Sequence, residues 1–232
     1  HEWLKKMGKQ AFFGKIPFPV LHIDTSYKFQ EIYDFRTKYA KEWGLNLIIE
    51  KNDAALAQGM NNTLGKFECC NSLKTTTLKN AITKHNFQAI LLGIRRDEHG
   101  IRAKERFFSP RDADHLWDYQ GQPPELWNFY QTHLEQEHHL RIHPLLGWRE
   151  IDVWEYVQKE NIPVTSLYFS DGKKRFRSIG CEPCCAPVDS KANSVSKIIK
   201  ELQTTTVSER SGRSQDKEDS YNMQKLRSLG YM

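Results

Sequence analysis

Six basic side chains crowd into seventeen positions of the sequence: Arg95, Arg96, Arg102, Lys104, Arg106 and Arg111. They follow at once on Gly93-Ile94, the end of a short apolar run, and Asp97 and Glu98 stand among them. Arginine presents a planar fork of donors that meets phosphate or sulfate oxygens two at a time, and lysine adds a point charge. An oxyanion carrying several charges needs that kind of convergence. The ordinary alternative for such a run is a solvated helix face along which arginines and glutamates pair.

The second grouping is of sulfur. All five cysteines fall into two sets, Cys69-Cys70 and Cys181-Glu182-Pro183-Cys184-Cys185. A C-x-x-C pair holds two thiolates close enough to share a metal, and a second pair completes four ligands, which makes Cys69, Cys70, Cys181 and Cys184 candidate metal ligands. Lys173, Lys174, Arg175 and Arg177 just upstream would favour thiolates. Other readings are small buried hydrophobes or a labile disulfide, and adjacent cysteines of an extended chain point apart. His143 reads as a hydrogen-bonded structural histidine and Trp154 as a packing residue. No G-x-S-x-G elbow, H-E-x-x-H, Walker A or G-x-G-x-x-G pattern occurs.

These residues need elements to hold them. Residues 19–23 form a short apolar run ending in Asp24-Thr25-Ser26, a strand followed by a helix start. Apolar positions at helical spacing predict a helix from Tyr27 to Trp43, stopped by Gly44. A second strand is expected over 45–49, a helix capped by Ser72 with the stripe Leu73, Leu78, Ala81 and Ile82, and a third strand over 89–92. This alternation predicts an α/β fold, a parallel twisted sheet flanked by helices. Ligands in such sheets bind beyond the carboxyl ends of the strands, here Asp24-Thr25, Glu50-Lys51 and Gly93-Ile94-Arg95. Further on, 110–124 reads as loop, 125–130 as a short helical turn, 150–160 as an amphipathic helix, 170–190 as an irregular loop and 195–202 as a helix. The regular alternation and the irregular stretch after it are expected to divide the chain into residues 1–168, an α/β domain, and residues 169–232, a Cys-containing loop, helix and C-terminal tail packed on it.

The 232 residues carry 38% hydrophobic and 27% charged side chains, enough apolar material for a core. Lys and Arg exceed Asp and Glu by five, a modest excess that suits small anions as well as nucleic acid. No apolar run approaches the length of a membrane-spanning helix. Few, clustered cysteines argue against a secreted disulfide scaffold and for the cytoplasm. His1 stands where an initiator Met is expected, so further residues are expected before it.

The stretches PFPVLHIDTSYKFQEIYDFR, GIRRDEHGIRAKERFFSPRD, QPPELWN, HPLLGWREIDVWEYV, FRSIGC and SERSGRSQDK, with a closing LGYM, together resemble the small subunits of bacterial sulfate adenylyltransferase. Those belong to the wider phosphoadenylyl-sulfate reductase and PP-loop ATP pyrophosphatase group. The resemblance implies an adenine nucleotide α-hydrolase-like fold and attack of sulfate on the α-phosphorus of ATP, with Mg²⁺ on the phosphates. It implies adenosine contacts near His22, Asp24 and Thr25, and phosphate and sulfate contacts from Arg95, Arg96, Arg102, Lys104 and Arg106. Gly93 and Asp97 fall at the nucleotide side, and Arg210 and Arg213 of the tail close over it. A GTPase large subunit is the implied partner. The group's Ser-Gly-Gly-Lys-Asp-Ser type phosphate loop is absent from the sequence, and its absence leaves a non-catalytic nucleotide-binding subunit as one alternative. The cysteines resemble the [4Fe-4S] ligand set of adenylyl-sulfate reductases, although no Cys follows Cys185 to act as their nucleophile. An iron–sulfur ATP pyrophosphatase of the DNA phosphorothioation type, served by a cysteine desulfurase and acting near nucleic acid, is the other alternative.

Overall fold

The computed structural model describes residues 11–118, 120–133, 138–213 and 222–230. His1, the last four residues (214–217) of the SERSGRSQDK stretch and the final Tyr231 and Met232 lie outside the described residues. In chain order the elements are β1 (Val20–Ile23), α1 (Gln30–Glu42), β2 (Leu47–Glu50), α2 (Asp53–Ala57) and α3 (Lys66–Cys70). A π-helical stretch (Asn71–Thr76) joins α3 to α4 (Thr77–His85), followed by β3 (Ala89–Leu91), β4 (Phe108–Arg111), β5 (His139–Ile142) and α5 (Glu150–Lys159). The short β6 (Lys174–Arg175) and β7 (Val188–Asp189), then α6 (Val195–Leu202) and α7 (Asn222–Ser228), complete the chain. These elements gather into two compact units that interleave along the sequence. One runs to Ile49 and resumes at Arg149, and the other runs from Glu50 to Trp148 and includes α7.

In the first unit β1 pairs with β2. Helix α1 begins with Glu31 in its first turn and ends with Lys41 in its last, both matching the helix dipole. Phe35, Tyr39 and Trp43 recur every fourth residue and stack in a ladder, with ring centroids 4.4 and 5.4 Å apart. Gly44, at φ 58°, then turns the chain into β2. Helices α5 and α6 pack together, with Ile198 wholly buried and Trp154 set edge-on to Tyr168. The segment read as loop over 170–190 contains a small antiparallel pair, β6 against β7, which Gly172 at φ 106° leads into.

In the second unit β5 lies between β3, to which it is parallel, and the antiparallel edge strand β4. Pro110 sits on that edge strand, where a missing N–H is tolerated. Strand β5 was not expected from the sequence. Its His139, Leu140 and Arg141 are all buried, and a His-Leu-Arg run lacks the apolar signature of a central strand.

The helix expected from Ser72 starts at Lys66, and Ser72 lies inside it rather than at its cap. The π stretch explains an oddity of the apolar stripe. Leu73 and Leu78 stand five residues apart, about 1.4 α-helical turns, yet both are buried. Widening the helix to i→i+5 bonding across Asn71–Thr76 turns both side chains inward with Ala81 and Ile82. Among the described residues, no helix is long and apolar enough to cross a membrane.

Candidate functional site

The basic segment of the second unit is pinned along one short piece of backbone, Ile142 to Leu146. Leu92 N–H bonds to the Ile142 carbonyl at 2.8 Å and Arg96 N–H to the Leu146 carbonyl at 3.0 Å, which fixes the arm leaving β3. The arm entering β4 is fixed by His143, whose N–H donates to the Phe107 carbonyl at 2.9 Å. The His143 ring bonds to the Arg106 carbonyl through Nδ1 at 2.7 Å. Since a carbonyl only accepts, Nδ1 carries the proton. His143 is therefore the structural histidine that the sequence suggests, and it positions both Arg106 and Phe107.

The rim residues divide by environment. Arg95 and Arg102 are buried. Arg95 Nε donates to Asp97 Oδ1 at 3.0 Å, and Arg102 pairs with Glu98 one turn earlier. Arg96 is half-buried, with its guanidinium over the Phe107 ring and Nη2 donating to the Glu105 carbonyl at 3.3 Å. Lys104 is exposed, and Arg106 reaches the Pro123 carbonyl through Nε at 3.0 Å. Gly93 is half-buried at the end of the β3 arm, beside Leu92. Local Arg–carboxylate pairing thus accounts for Arg95 and Arg102, whereas Arg96 and Arg106 reach backbone carbonyls.

Beneath the rim lies a buried ionic cluster that sequence reasoning missed. Glu105 is fully buried and its Oε1 accepts from Arg111 Nη2 at 2.9 Å and from Arg227 of α7. Burial alone would raise this carboxyl, but Arg111, Arg227 and His143 overcome it and hold the pKa at about 2. Burial drives His143 down to about 4 against the pull of Glu105, and burial and Arg141 drive His139 down to about 3. Both imidazoles are neutral at pH 7. Arg111 and Arg227 each lie over a face of Trp117, at 5.2 Å from its ring centroid.

In the first unit, the chain leaves β1 through buried Asp24 and Thr25, with His22 half-buried before them. Ser26 takes the unusual φ of 61°, and its N–H donates to Asp24 Oδ1 at 2.8 Å. Tyr33 OH donates to the same oxygen at 2.9 Å, and Thr25 Oγ1 lies 3.2 Å from Cys181 Sγ. The tail folds onto the cysteine loop of this unit. Ala186 N–H donates to the Gly212 carbonyl at 2.8 Å, and Arg213 bridges Cys185 and donates to Ser178 Oγ at 3.3 Å. Arg210 and Arg213 are both buried in this strap, and Gly180 leaves the room that the Arg213 guanidinium occupies.

None of the five cysteines is in a disulfide. Cys69 and Cys70 lie on α3 of the second unit, helical rather than extended, and Cys70 packs against Leu226 and Phe67 while accepting from Lys74 at 3.6 Å. Cys181 and Cys184 belong to the first unit, and Cys185 Sγ accepts from Gly180 N–H at 3.1 Å. The basic residues upstream are engaged elsewhere. Arg175 pairs with Glu201 at 2.7 Å and Arg177 with Glu150 at 2.6 Å. Among the described residues, no three His, Cys, Asp or Glu side chains gather as a metal site. Cys69 and Cys70 thus fall in the second unit and Cys181 and Cys184 in the first, one candidate pair to each.

The fold has clear structural relatives. A phosphoadenylyl-sulfate reductase from Candida auris, solved as a phosphate complex, superposes with a TM-score of 0.52 at 19% identity, over 79% of this chain and 75% of that one. FMN adenylyltransferase of Candida glabrata gives 0.53 at 16% identity, over 91% and 72%. Residues 4–187 match the family model of the phosphoadenosine phosphosulfate reductase domain, which defines the class: an α/β fold of the adenine nucleotide α-hydrolase-like kind. Within that class the relationship narrows. The chain is 39% identical to the sulfate adenylyltransferase subunit 2 of Pseudomonas savastanoi pv. phaseolicola, over 97% of its own length and 85% of that protein. It belongs to the sulfate adenylyltransferase subunit 2 family.

Proposed function

We propose that this chain transfers the adenylyl group of ATP to sulfate, releasing pyrophosphate. A sulfate oxygen attacks the α-phosphorus, a new P–O bond forms, and the bond to the bridging oxygen breaks with its electron pair leaving on pyrophosphate. The observation that carries the reading is the near full-length identity to proteins named for that activity. The basic rim supports it, because such a displacement needs positioning and charge neutralisation more than covalent help from protein.

In this reading Arg96, Lys104 and Arg106 supply the charges that reach an anion, while Arg95 and Arg102, braced by Asp97 and Glu98, shape the rim behind them. Gly93 lets the backbone approach closely. His22, Asp24 and Thr25 are assigned to the nucleoside, and Arg210 and Arg213 to contacts with the nucleotide. Asp97 and Glu98 are committed to arginines, so a magnesium ion would arrive on the phosphates of the nucleotide rather than in a cage of side chains. Sulfate activation is uphill, which calls for a companion subunit that couples it to GTP hydrolysis. The relatives' designation as subunit 2 supports a companion.

The test is pyrophosphate release from ATP by the chain with its companion subunit and GTP, with and without sulfate. Release that depends on sulfate, with Lys104→Ala and Arg106→Ala each raising KM about tenfold, is the expected result. Release indifferent to sulfate would refute it and point to an ATP pyrophosphatase.

A further inference from the structure

Glu105 stands between two rim residues, Lys104 and Arg106, yet its side chain points the other way. The carboxylate is completely buried, while Lys104 is exposed and Arg106 half-exposed. Anchoring the middle residue of three inward turns its neighbours outward in an extended segment, and Glu105 has extended backbone at φ -70°, ψ 158°. Its backbone carbonyl also accepts from Arg96 Nη2, so one residue ties the β3 arm of the rim to the β4 arm. The anchor has two cationic holders of different origin. Arg111 is local, six residues away on β4. Arg227 comes from α7, 122 residues further along the chain, and lies beyond the matched domain. His143 closes the arrangement from a third side, its Nδ1 3.9 Å from Glu105 Oε2 and bonded to the Arg106 carbonyl.

We infer that Glu105, held from behind by Arg227 of the C-terminal helix, is a positioning residue that sets the outward aim of Lys104, Arg106 and Arg96. The C-terminal helix thereby belongs to the anion-handling machinery although it presents no group to the anion. The inference rests on the reading of this rim as the phosphate and sulfate site. Loss of Arg227 leaves Arg111 as the one guanidinium on Glu105 and releases the registration of residues 104–106 against α7. The rim then keeps all its charges but loses their convergence, which weakens anion binding more than turnover of bound substrate.

Arg227→Met, Arg227→Lys and the native full-length chain, each with its companion subunit, are compared for KM and kcat with ATP and with sulfate, and for melting temperature. Arg227→Met is expected to raise both KM values about five- to tenfold while kcat stays within about twofold, and Arg227→Lys to recover most of the KM. A lower melting temperature with unchanged KM values, or Lys failing to improve on Met, would overturn the inference. Should Arg227→Met not fold, Arg227→Gln, which keeps a donor for the carboxylate, takes its place under the same criteria. A native protein without sulfate-dependent pyrophosphate release defeats the adenylyl-transfer reading by itself. The positioning role is then decided by affinity for pyrophosphate: weakened in Arg227→Met and restored in Arg227→Lys supports it, equal in all three refutes it.

Discussion

Replacing His143 with Asn isolates one consequence of the buried cluster, a loss of stability in mild acid. In the folded chain His143 stays neutral down to a pKa of about 4, whereas an unfolded histidine protonates near 6.5. Between those values only the unfolded chain takes up the proton. The stabilisation is therefore complete above about pH 6.5 and is lost as pH falls toward 4. At pH 5 the loss comes to about 2 kcal/mol for His143. His139, held at about 3, has the same sign and adds about 2 kcal/mol more. His115, lowered by burial and by Lys79, acts in the same direction. Glu105 is silent here, because a carboxylate held at about 2 withdraws its stabilisation only below the unfolded value near 4.5. A combined loss of about 4 kcal/mol is a large part of an ordinary stability, and lowers the melting temperature by roughly 8–16 °C for a chain of this size. Asn can donate its amide to the Arg106 carbonyl as Nδ1 does, so His143→Asn removes the titration while keeping the bond. Scanning calorimetry at pH 8 and pH 5, at matched ionic strength, should show the variant losing about half as much as the native chain. Equal losses in both proteins would show that His143 is not the neutral, buried base described.

Two further substitutions probe the first unit. A methyl group on Gly212 would press into the Ala186 carbonyl oxygen, and one on Gly180 into the Arg213 guanidinium. Backbone yields less than the end of a flexible side chain, so Gly212→Ala should cost about 1–3 kcal/mol and Gly180→Ala less. Limited proteolysis should then cut the Ser208–Arg213 strap faster in the first variant, and the reverse order would refute the packing. Arg177→Met strands the carboxylate of Glu150 in a nearly dry site and should destabilise by about 3–5 kcal/mol. Adding Glu150→Leu should recover most of that in chemical unfolding, and no recovery would mean that the pair is not what Arg177 contributes.

Much of the scaffold could be read ahead of the structure because its signals are local. Val20–Ile23, Leu47–Glu50 and Ala89–Leu91 are short apolar runs, and the amphipathic helices over 150–159 and 195–202 show their spacing within ten residues. Strand β5 escaped because its central place is filled by His139 and Arg141, whose burial depends on neutral imidazoles and on a carbonyl, Gly230 O, 2.6 Å from Arg141 Nη2 and 89 residues away. The Cys69-Cys70 pair gives no local sign of its setting either. Two thiols in sequence say nothing about which face of a helix they line, and here one of them fills an apolar contact with Leu226.

The charged segment shows where local reading stops. A run that mixes Arg, Asp and Glu announces that ion pairs will form but not between which partners. Arg95 with Asp97 and Arg102 with Glu98 are neighbours in sequence, as a solvated face would have them. Glu105 has Arg102 and Arg106 nearer in sequence, yet it takes Arg111 and Arg227. Burial makes the choice. An exposed carboxylate gains little from any one cation and so takes the nearest. A buried one must be fully matched or is strongly destabilising, so the fold brings it whichever guanidinium can reach without solvent, even from the far end of the chain. The pairings that turn Lys104 and Arg106 outward thus follow from the one carboxylate in the run that is turned inside.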